Sequence, residues 1–279
     1  VIIDAPYNTA TVNENINACS LTVYNILTIS DGFSVQVAND VIVDGGEINI
    51  SSQGALIQNG DAGSAGTFTL QNAGTASLIK NTREYSDDGL HYTYWSSPVE
   101  NANITAVFPN PDDNRRYYFD AALFLDSHSV GTNNGIPDDI DDDGNDWQVA
   151  SALMSTGVGY AVTAVAPPPV PNPFPYTSSD NFTGKFNTGD FNVRLYRNDN
   201  ELNDFNWNLI GNPYPSAIST DAFFTENVHD VNVNPTGTLE GVIYLWTHNS
   251  TASAANTGNQ AYNFNQDDYA IINFVGGVS

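Results

Sequence analysis

Leu21-Thr22-Val23, Leu27-Thr28-Ile29, Val35-Gln36-Val37, Val41-Ile42-Val43 and Ile48-Asn49-Ile50 are five short triplets, each apolar at both ends. Their starts step by 6, 8, 6 and 7 residues. Alternation with period 2 marks strands that bury one face. Asp31-Gly32, Asp44-Gly45-Gly46 and Gln53-Gly54 fall between triplets and supply turn chemistry. Phe68-Thr69-Leu70 and Leu78-Ile79-Lys80 extend the theme more loosely. Strands this short do not suit ordinary hairpins. They suit the flat faces of a β-solenoid, in which each coil stacks on the last. The rival reading is a small antiparallel sandwich. Cys19 is in phase with Leu21 and Val23, which predicts a small core residue.

From Tyr85 onward the strands lengthen and become aromatic-rich, as in Tyr92-Thr93-Tyr94-Trp95 and Arg116-Tyr117-Tyr118-Phe119. Ala166 to Pro175 contains six prolines and reads as a stiff extended connector. Setting Pro98 over Pro213 aligns Tyr92–Pro98 with Trp207–Pro213. Each copy later reaches an aromatic strand, Tyr117-Tyr118-Phe119-Asp120 in the first and Ile243-Tyr244-Leu245-Trp246 in the second. Two copies of one β-unit predict paired sheets on a shared core. The second copy is expected to lack a counterpart of Gly159-Tyr160-Ala161-Val162, as in a piece of a longer protein. The expected fold is all-β, with a solenoid-like section over 1–80 and a pseudo-duplicated sandwich over 81–279.

Asn134-Gly135-Ile136-Pro137-Asp138-Asp139-Ile140-Asp141-Asp142-Asp143-Gly144-Asn145-Asp146-Trp147 carries the strongest chemical signal. Six aspartates fall between Asp138 and Asp146, and the nearest basic residues are Arg116 and Lys185. Carboxylates so dense repel one another and call for a cation. A hard divalent ion with oxygen ligands fits, and calcium tolerates their irregular geometry best. Asp139, Asp141 and Asp143 alternate and Gly144 permits a sharp turn, as at the opening of a calcium loop. The expected ligands are Asp139, Asp141 and Asp143, the carbonyl of Asn145, and Asp146 or Asp138. Asp126 is expected to reach back from the preceding strand. Position twelve is Ala150, so this is not an EF-hand. The run instead resembles one thrombospondin type 3 calcium repeat, whose aspartates hold calcium without flanking helices.

Seven Lys and Arg oppose 32 Asp and Glu, for a net charge of −25. All seven cations lie between Lys80 and Arg197, which leaves no patch able to neutralise phosphates. Nucleic acid is therefore excluded as a partner, and an anionic membrane is disfavoured. No stretch approaches the roughly 20 apolar residues of a membrane helix. A single cysteine rules out an intrachain disulfide. The chain opens directly on Val-Ile-Ile-Asp, with no signal peptide pattern. His91, His128, His229 and His248 are scattered and form no metal-spaced pair. No Gly-x-Ser-x-Gly elbow is present. Asp87-Asp88, Asp112-Asp113 and Asp267-Asp268 are pairs of the kind glycoside hydrolysis uses, but 32 acids produce such pairs by chance. The reading is therefore non-enzymatic. Tyr94, Trp95, Tyr214 and Trp246 suit a sugar-stacking platform in principle, and alternation places most of them in the core.

Trp95-Ser96-Ser97-Pro98-Val99, Gly159-Tyr160-Ala161-Val162, Trp207-Asn208-Leu209-Ile210-Gly211-Asn212-Pro213-Tyr214-Pro215-Ser216, Ile243-Tyr244-Leu245-Trp246 and Asp267-Asp268-Tyr269-Ala270 occur in that order. So ordered, they resemble strings in large secreted surface proteins of Bacteroidota. The opening through Val23 is similar to theirs as well. The resemblance implies export by the type IX secretion system, an extracellular or cell-surface location and an adhesin-like, non-catalytic role. It implies no known ligand; the expected partners are the secretion machinery and an extracellular glycan or surface ligand. The alternative is a carbohydrate-binding module of a secreted polysaccharide-degrading enzyme.

Overall fold

The computed structural model describes residues 1–4, 9–60, 66–84, 91–111, 114–124, 146–163, 176–197, 206–229, 234–248, 250, 252–256, 262–273 and 276–278. Among these, 44% are strand and 7% helix, so the protein is all-β. No helix among the described residues is long and apolar enough to cross a membrane.

The first eleven strands are β1 (Ile2–Ile3), β2 (Thr9–Val12), β3 (Ile16–Ala18), β4 (Leu21–Val23), β5 (Ile26–Ile29), β6 (Ser34–Val37), β7 (Val41–Asp44), β8 (Glu47–Ile50), β9 (Ala55–Gln58), β10 (Phe68–Gln71) and β11 (Thr75–Glu84). They sort into three parallel ladders by taking every third strand: β1-β4-β7-β10, β2-β5-β8-β11 and β3-β6-β9. The antiparallel rival therefore does not describe these strands. Register stacks the apolar ends of the triplets in columns. Leu21 pairs with Val41 and Val41 with Phe68; Leu27 pairs with Ile48 and Ile48 with Ala76. These inward residues are 0–2% exposed. Burying each apolar side chain contributes about 1.5–3 kcal/mol. The columns are thus the main stabilising feature of this section.

Side chains at the corners tie each turn of chain to the next. Asp31 Oδ1 accepts from the Gln53 amide at 2.7 Å, and Asp40 Oδ1 accepts from the Thr67 amide at 2.8 Å. The Thr67 bonds hold the Asp40 carboxyl below its ordinary pKa. Cys19 corrects the core expectation. It is exposed, and Asn39 Nδ2 donates to its carbonyl at 3.2 Å. The alternation that buries Leu21 and Val23 starts at β4, and Cys19 precedes it on a corner, where period 2 no longer holds.

Residue 80 falls inside β11. Over Thr75–Leu78 that strand pairs with β8 in parallel. Over Ser77–Glu84 it pairs antiparallel with β16 (Tyr176–Thr183). The intervening elements are β12 (Tyr92–Trp95), α1 (Ile104–Val107), β13 (Arg116–Phe119), β14 (Trp147–Val149) and β15 (Tyr160–Thr163). A helix α2 (Thr220–Asn227) and strands β17 (Val242–Trp246), β18 (Tyr269–Asn273) and β19 (Gly276–Val278) follow. One antiparallel sheet has the order β12-β15-β13-β14, and a second has the order β17-β18-β19.

The first of these sheets works on both faces, as strand alternation requires. Trp95 of β12 packs on Phe108 and Phe182, with ring centroids 4.9 and 6.2 Å away. That face continues the apolar core of the ladders, which runs from Val12 to Phe186. Arg116 is buried on β13, where Nε donates to the Phe108 carbonyl at 2.7 Å. Tyr92 and Tyr94 point the other way, toward β17 and β18. Trp246 Nε1 donates to the Tyr92 carbonyl at 2.8 Å, and the Trp246 ring stacks on Tyr94 at 5.6 Å.

One pairing recurs between the two aligned units. β13 lies antiparallel to β15, and β17 lies antiparallel to β18. Both partner strands open Tyr-Ala, at Tyr160 and Tyr269. The registers differ, however: Tyr160 pairs with Tyr118 within β13, and Tyr269 pairs with Trp246 at the end of β17. The strings closed by proline differ. Tyr92–Trp95 pairs along β15, whereas Ile210 makes a single bridge to Val158. The two segments meet instead of occupying equivalent places. Asn187 donates from its backbone to the Pro98 carbonyl at 2.9 Å and from Nδ2 to the Pro213 carbonyl at 3.0 Å.

Candidate functional site

The acidic run lies between Phe124 and Asp146, the described residues that flank it. Six of the seven expected ligands, Asp126, Asp138, Asp139, Asp141, Asp143 and Asn145, lie outside the described residues. The base of the connection is well defined. The Asp120 amide donates to the Asp146 carbonyl at 2.8 Å, and Phe119 pairs with Trp147 across β13 and β14. The Phe119 ring meets Trp147 edge-on at 5.3 Å and Phe124 at 6.0 Å. Asp146 is 5% exposed, and its Oδ1 accepts from the Trp147 amide at 3.0 Å. One of its oxygens thus fixes the return of the chain. Among the described residues no group of three His, Cys, Asp or Glu converges on one point.

A cleft of about 430 Å³ opens beside this base. Tyr118, Asp120, Leu153, Tyr160, Arg194 and Asn208 contribute to its lining. Asp120 belongs to both features, since its amide closes the acidic connection and its Oδ1 accepts from the Ala122 amide at 3.2 Å. The Arg194 guanidinium lies 4.8 Å from the Tyr196 ring centre. Asn208 is bound to the Tyr196 backbone in both directions at 2.9 Å, which fixes that wall. Trp207, next in the chain, packs edge-on against Tyr244 at 4.9 Å, and both rings are exposed.

The aromatics named from sequence are only half-buried. They nonetheless bind one another or the chain. Tyr94 OH lies 3.1 Å from Tyr269 OH, and Tyr214 OH donates to the Gly189 carbonyl at 2.7 Å. Burial raises the pKa of Tyr94 well above the ordinary tyrosine value, and burial raises that of Tyr269 too. Three exposed rings at or beside the cleft, Tyr196, Trp207 and Tyr244, are not among the aromatics named from sequence.

Sequence spacing also missed a histidine contact. The His91 and His248 rings lie 4.0 Å apart, with Trp246 and Phe264 against His248 at 5.5 and 5.1 Å. They are 157 positions apart, so no local motif joins them. Of the carboxylate pairs, Asp87-Asp88 and Asp112-Asp113 lie outside the described residues. Asp267-Asp268 divides: Asp267 is exposed and Asp268 is fully buried. The Asp268 carboxylate accepts from the Ser250 amide at 2.6 Å, the Ser250 hydroxyl at 2.7 Å and the Asn265 amide at 3.0 Å. It organises the turn before β18 and does not face Asp267 as a catalytic partner.

The chain belongs to a family described as Domain of unknown function (DUF8693), which matches residues 1–279. No curated protein and no solved structure matches it.

Proposed function

We propose that this chain is a non-catalytic, calcium-stabilised structural and adhesive segment of a large secreted cell-surface protein, exported by the type IX secretion system. In this reading β1–β11 form a β-solenoid, and the two antiparallel sheets form a pseudo-duplicated sandwich joined through the Tyr94–Trp246 seam. The observation that carries the reading is the closed base of the acidic connection. Asp120 and Asp146 hold together the ends of a run whose alternating carboxylates match calcium chemistry. Closing a loop beforehand reduces the entropy that ion binding must overcome. The acidic balance of the chain and the resemblance of its aromatic strings support an extracellular setting.

A second reading, a carbohydrate-binding module of a secreted enzyme, draws on the cleft and on the exposed Trp207–Tyr244 pair beside it. Aromatic faces next to fixed polar groups suit the apolar and hydroxyl faces of a sugar. A glycan-array screen with and without calcium separates the readings. Calcium-dependent retention of a surface glycan supports the adhesive role. Retention of plant or algal polysaccharide fragments regardless of calcium, abolished by Trp207→Ala, supports the module. Tight calcium-independent turnover of any glycan would contradict both.

A further inference from the structure

Among the described residues, the cations of this chain are spoken for, with one exception. Lys185 pairs with Glu100, Lys80 Nζ donates to the Ser52 carbonyl at 2.7 Å, and Arg116 donates to the Phe108 and Pro109 carbonyls at 2.7 and 3.1 Å. Arg83, Arg115 and Arg197 have partners as well. Arg194 lies 4.8 Å from the Tyr196 ring centre, and no hydrogen bond or ion pair to a described residue engages its guanidinium. In a chain with 32 acids and seven cations, an arginine left without a carboxylate is unexpected.

Arg194 lines the cleft of about 430 Å³, and so does Asp120. The two charges share the cleft without pairing. Asp120 commits Oδ1 to the Ala122 amide at 3.2 Å, and its Oδ2 accepts from no described residue. Each charge therefore keeps polar atoms available for a guest. The guanidinium is also held in place beforehand. Asn208 binds the Tyr196 backbone in both directions at 2.9 Å, and the Tyr196 ring carries Arg194. A guanidinium stacked in this way loses little freedom when it binds.

We infer that the cleft takes a uronic acid residue of an acidic glycan, with its carboxylate on Arg194 and a ring hydroxyl donating to Asp120. This placement rests on the reading of the cleft as a sugar site. The N–H groups of a guanidinium form a planar fork that matches a planar carboxylate through two parallel bonds. One cation beside one carboxylate suits a guest with a single negative charge. A dianionic phosphate would bring its second charge against Asp120. Leu153 and Leu209 supply apolar lining for the C–H face of the sugar. The net charge of −25 repels an anion at a distance, but physiological salt screens that field beyond about 8 Å. A contact pair in the cleft lies well inside that range.

Calorimetric titration of the 279-residue chain with trimers of galacturonic, glucuronic and mannuronic acid, and with their methyl esters, tests this. The esters keep rings and hydroxyls and remove the charge. The expected result is that at least one acid trimer binds the parent about tenfold or more tighter than its ester. Arg194 is exposed, so Arg194→Gln leaves the fold intact. It should reduce affinity for the acid to that for the ester and leave the ester unchanged. Arg194→Lys should recover part of the loss, because it keeps the charge without the fork. Each titration is run with and without calcium, since calcium itself bridges carboxylates. Acid and ester bound alike, with Arg194→Gln affecting neither, overturns the inference and leaves the sugar reading of the cleft in place. Acid binding that survives Arg194→Gln, including binding confined to calcium, places the guest elsewhere and overturns the inference. Binding of no trimer overturns it too, and the glycan-array screen then decides the sugar reading separately.

Discussion

The Tyr94 hydroxyl meets the Tyr269 hydroxyl at 3.1 Å across 175 positions of sequence, joining β12 to β18. Burial is the leading cause of the raised pKa at both phenols. A folded state that keeps them neutral opposes their ionisation. Stability is then full below the ordinary tyrosine value of about 10 and is lost as pH rises through the raised folded values. Tyr94→Phe loses roughly 1 kcal/mol at neutral pH through the missing hydrogen bond. It also shows a shallower alkaline limb. Urea midpoints of parent and variant across the alkaline range check this, and parallel limbs would refute the assignment.

Asn187 holds the Pro98 and Pro213 segments together, and its Nδ2 also donates to the Ser97 carbonyl at 3.1 Å. Asn187→Ala strips the Ser97 and Pro213 carbonyls of this donor in a buried place. The expected cost is about 1–3 kcal/mol. Asn187→Asp should do no better at neutral pH, because a carboxylate there faces two carbonyl oxygens. A denaturation midpoint for Asn187→Asp equal to that of the parent would show that the contact contributes nothing.

Gly74 follows the β10 turn, and a Cβ there would lie 2.2 Å from the Val43 carbonyl oxygen. Backbone, not a flexible side chain, would have to move. Gly74→Ala should therefore destabilise the ladders by at least the 1–3 kcal/mol typical of overpacking. Thermal unfolding of the variant at or above the parental midpoint would mean that β7 and β10 are not so closely stacked.

The triplets of residues 21–50 made the strands and their buried faces legible, because burial on one face imposes period 2 on the residues themselves. Parallel pairing followed from strands too short for hairpins. Corners were less legible. Cys19 continues the alternation in sequence but sits where the chain turns, so its side chain reaches the surface. Pairings between distant elements were least legible. β11 pairs with β8 over Thr75–Leu78 and with β16 over Ser77–Glu84, and no local pattern records the second partner. The same holds for His91 against His248 and for the meeting of Pro98 with Pro213. In the candidate site, the alternating aspartates on which the proposed calcium site rests lie outside the described residues. The role of Asp120 did not show, because it acts through its backbone amide.

Calcium-dependent stability tests the central claim most directly. Melting curves of the parent and of Asp141→Ala are recorded in calcium and in chelator. An ion that binds only the folded state stabilises it by RT ln(1 + [L]/Kd), or about 2.7 kcal/mol at a hundredfold excess over Kd. The account predicts a clear upward shift of the parental midpoint in calcium and a largely lost shift in Asp141→Ala. No shift in the parent, or an equal shift in the variant, would contradict it.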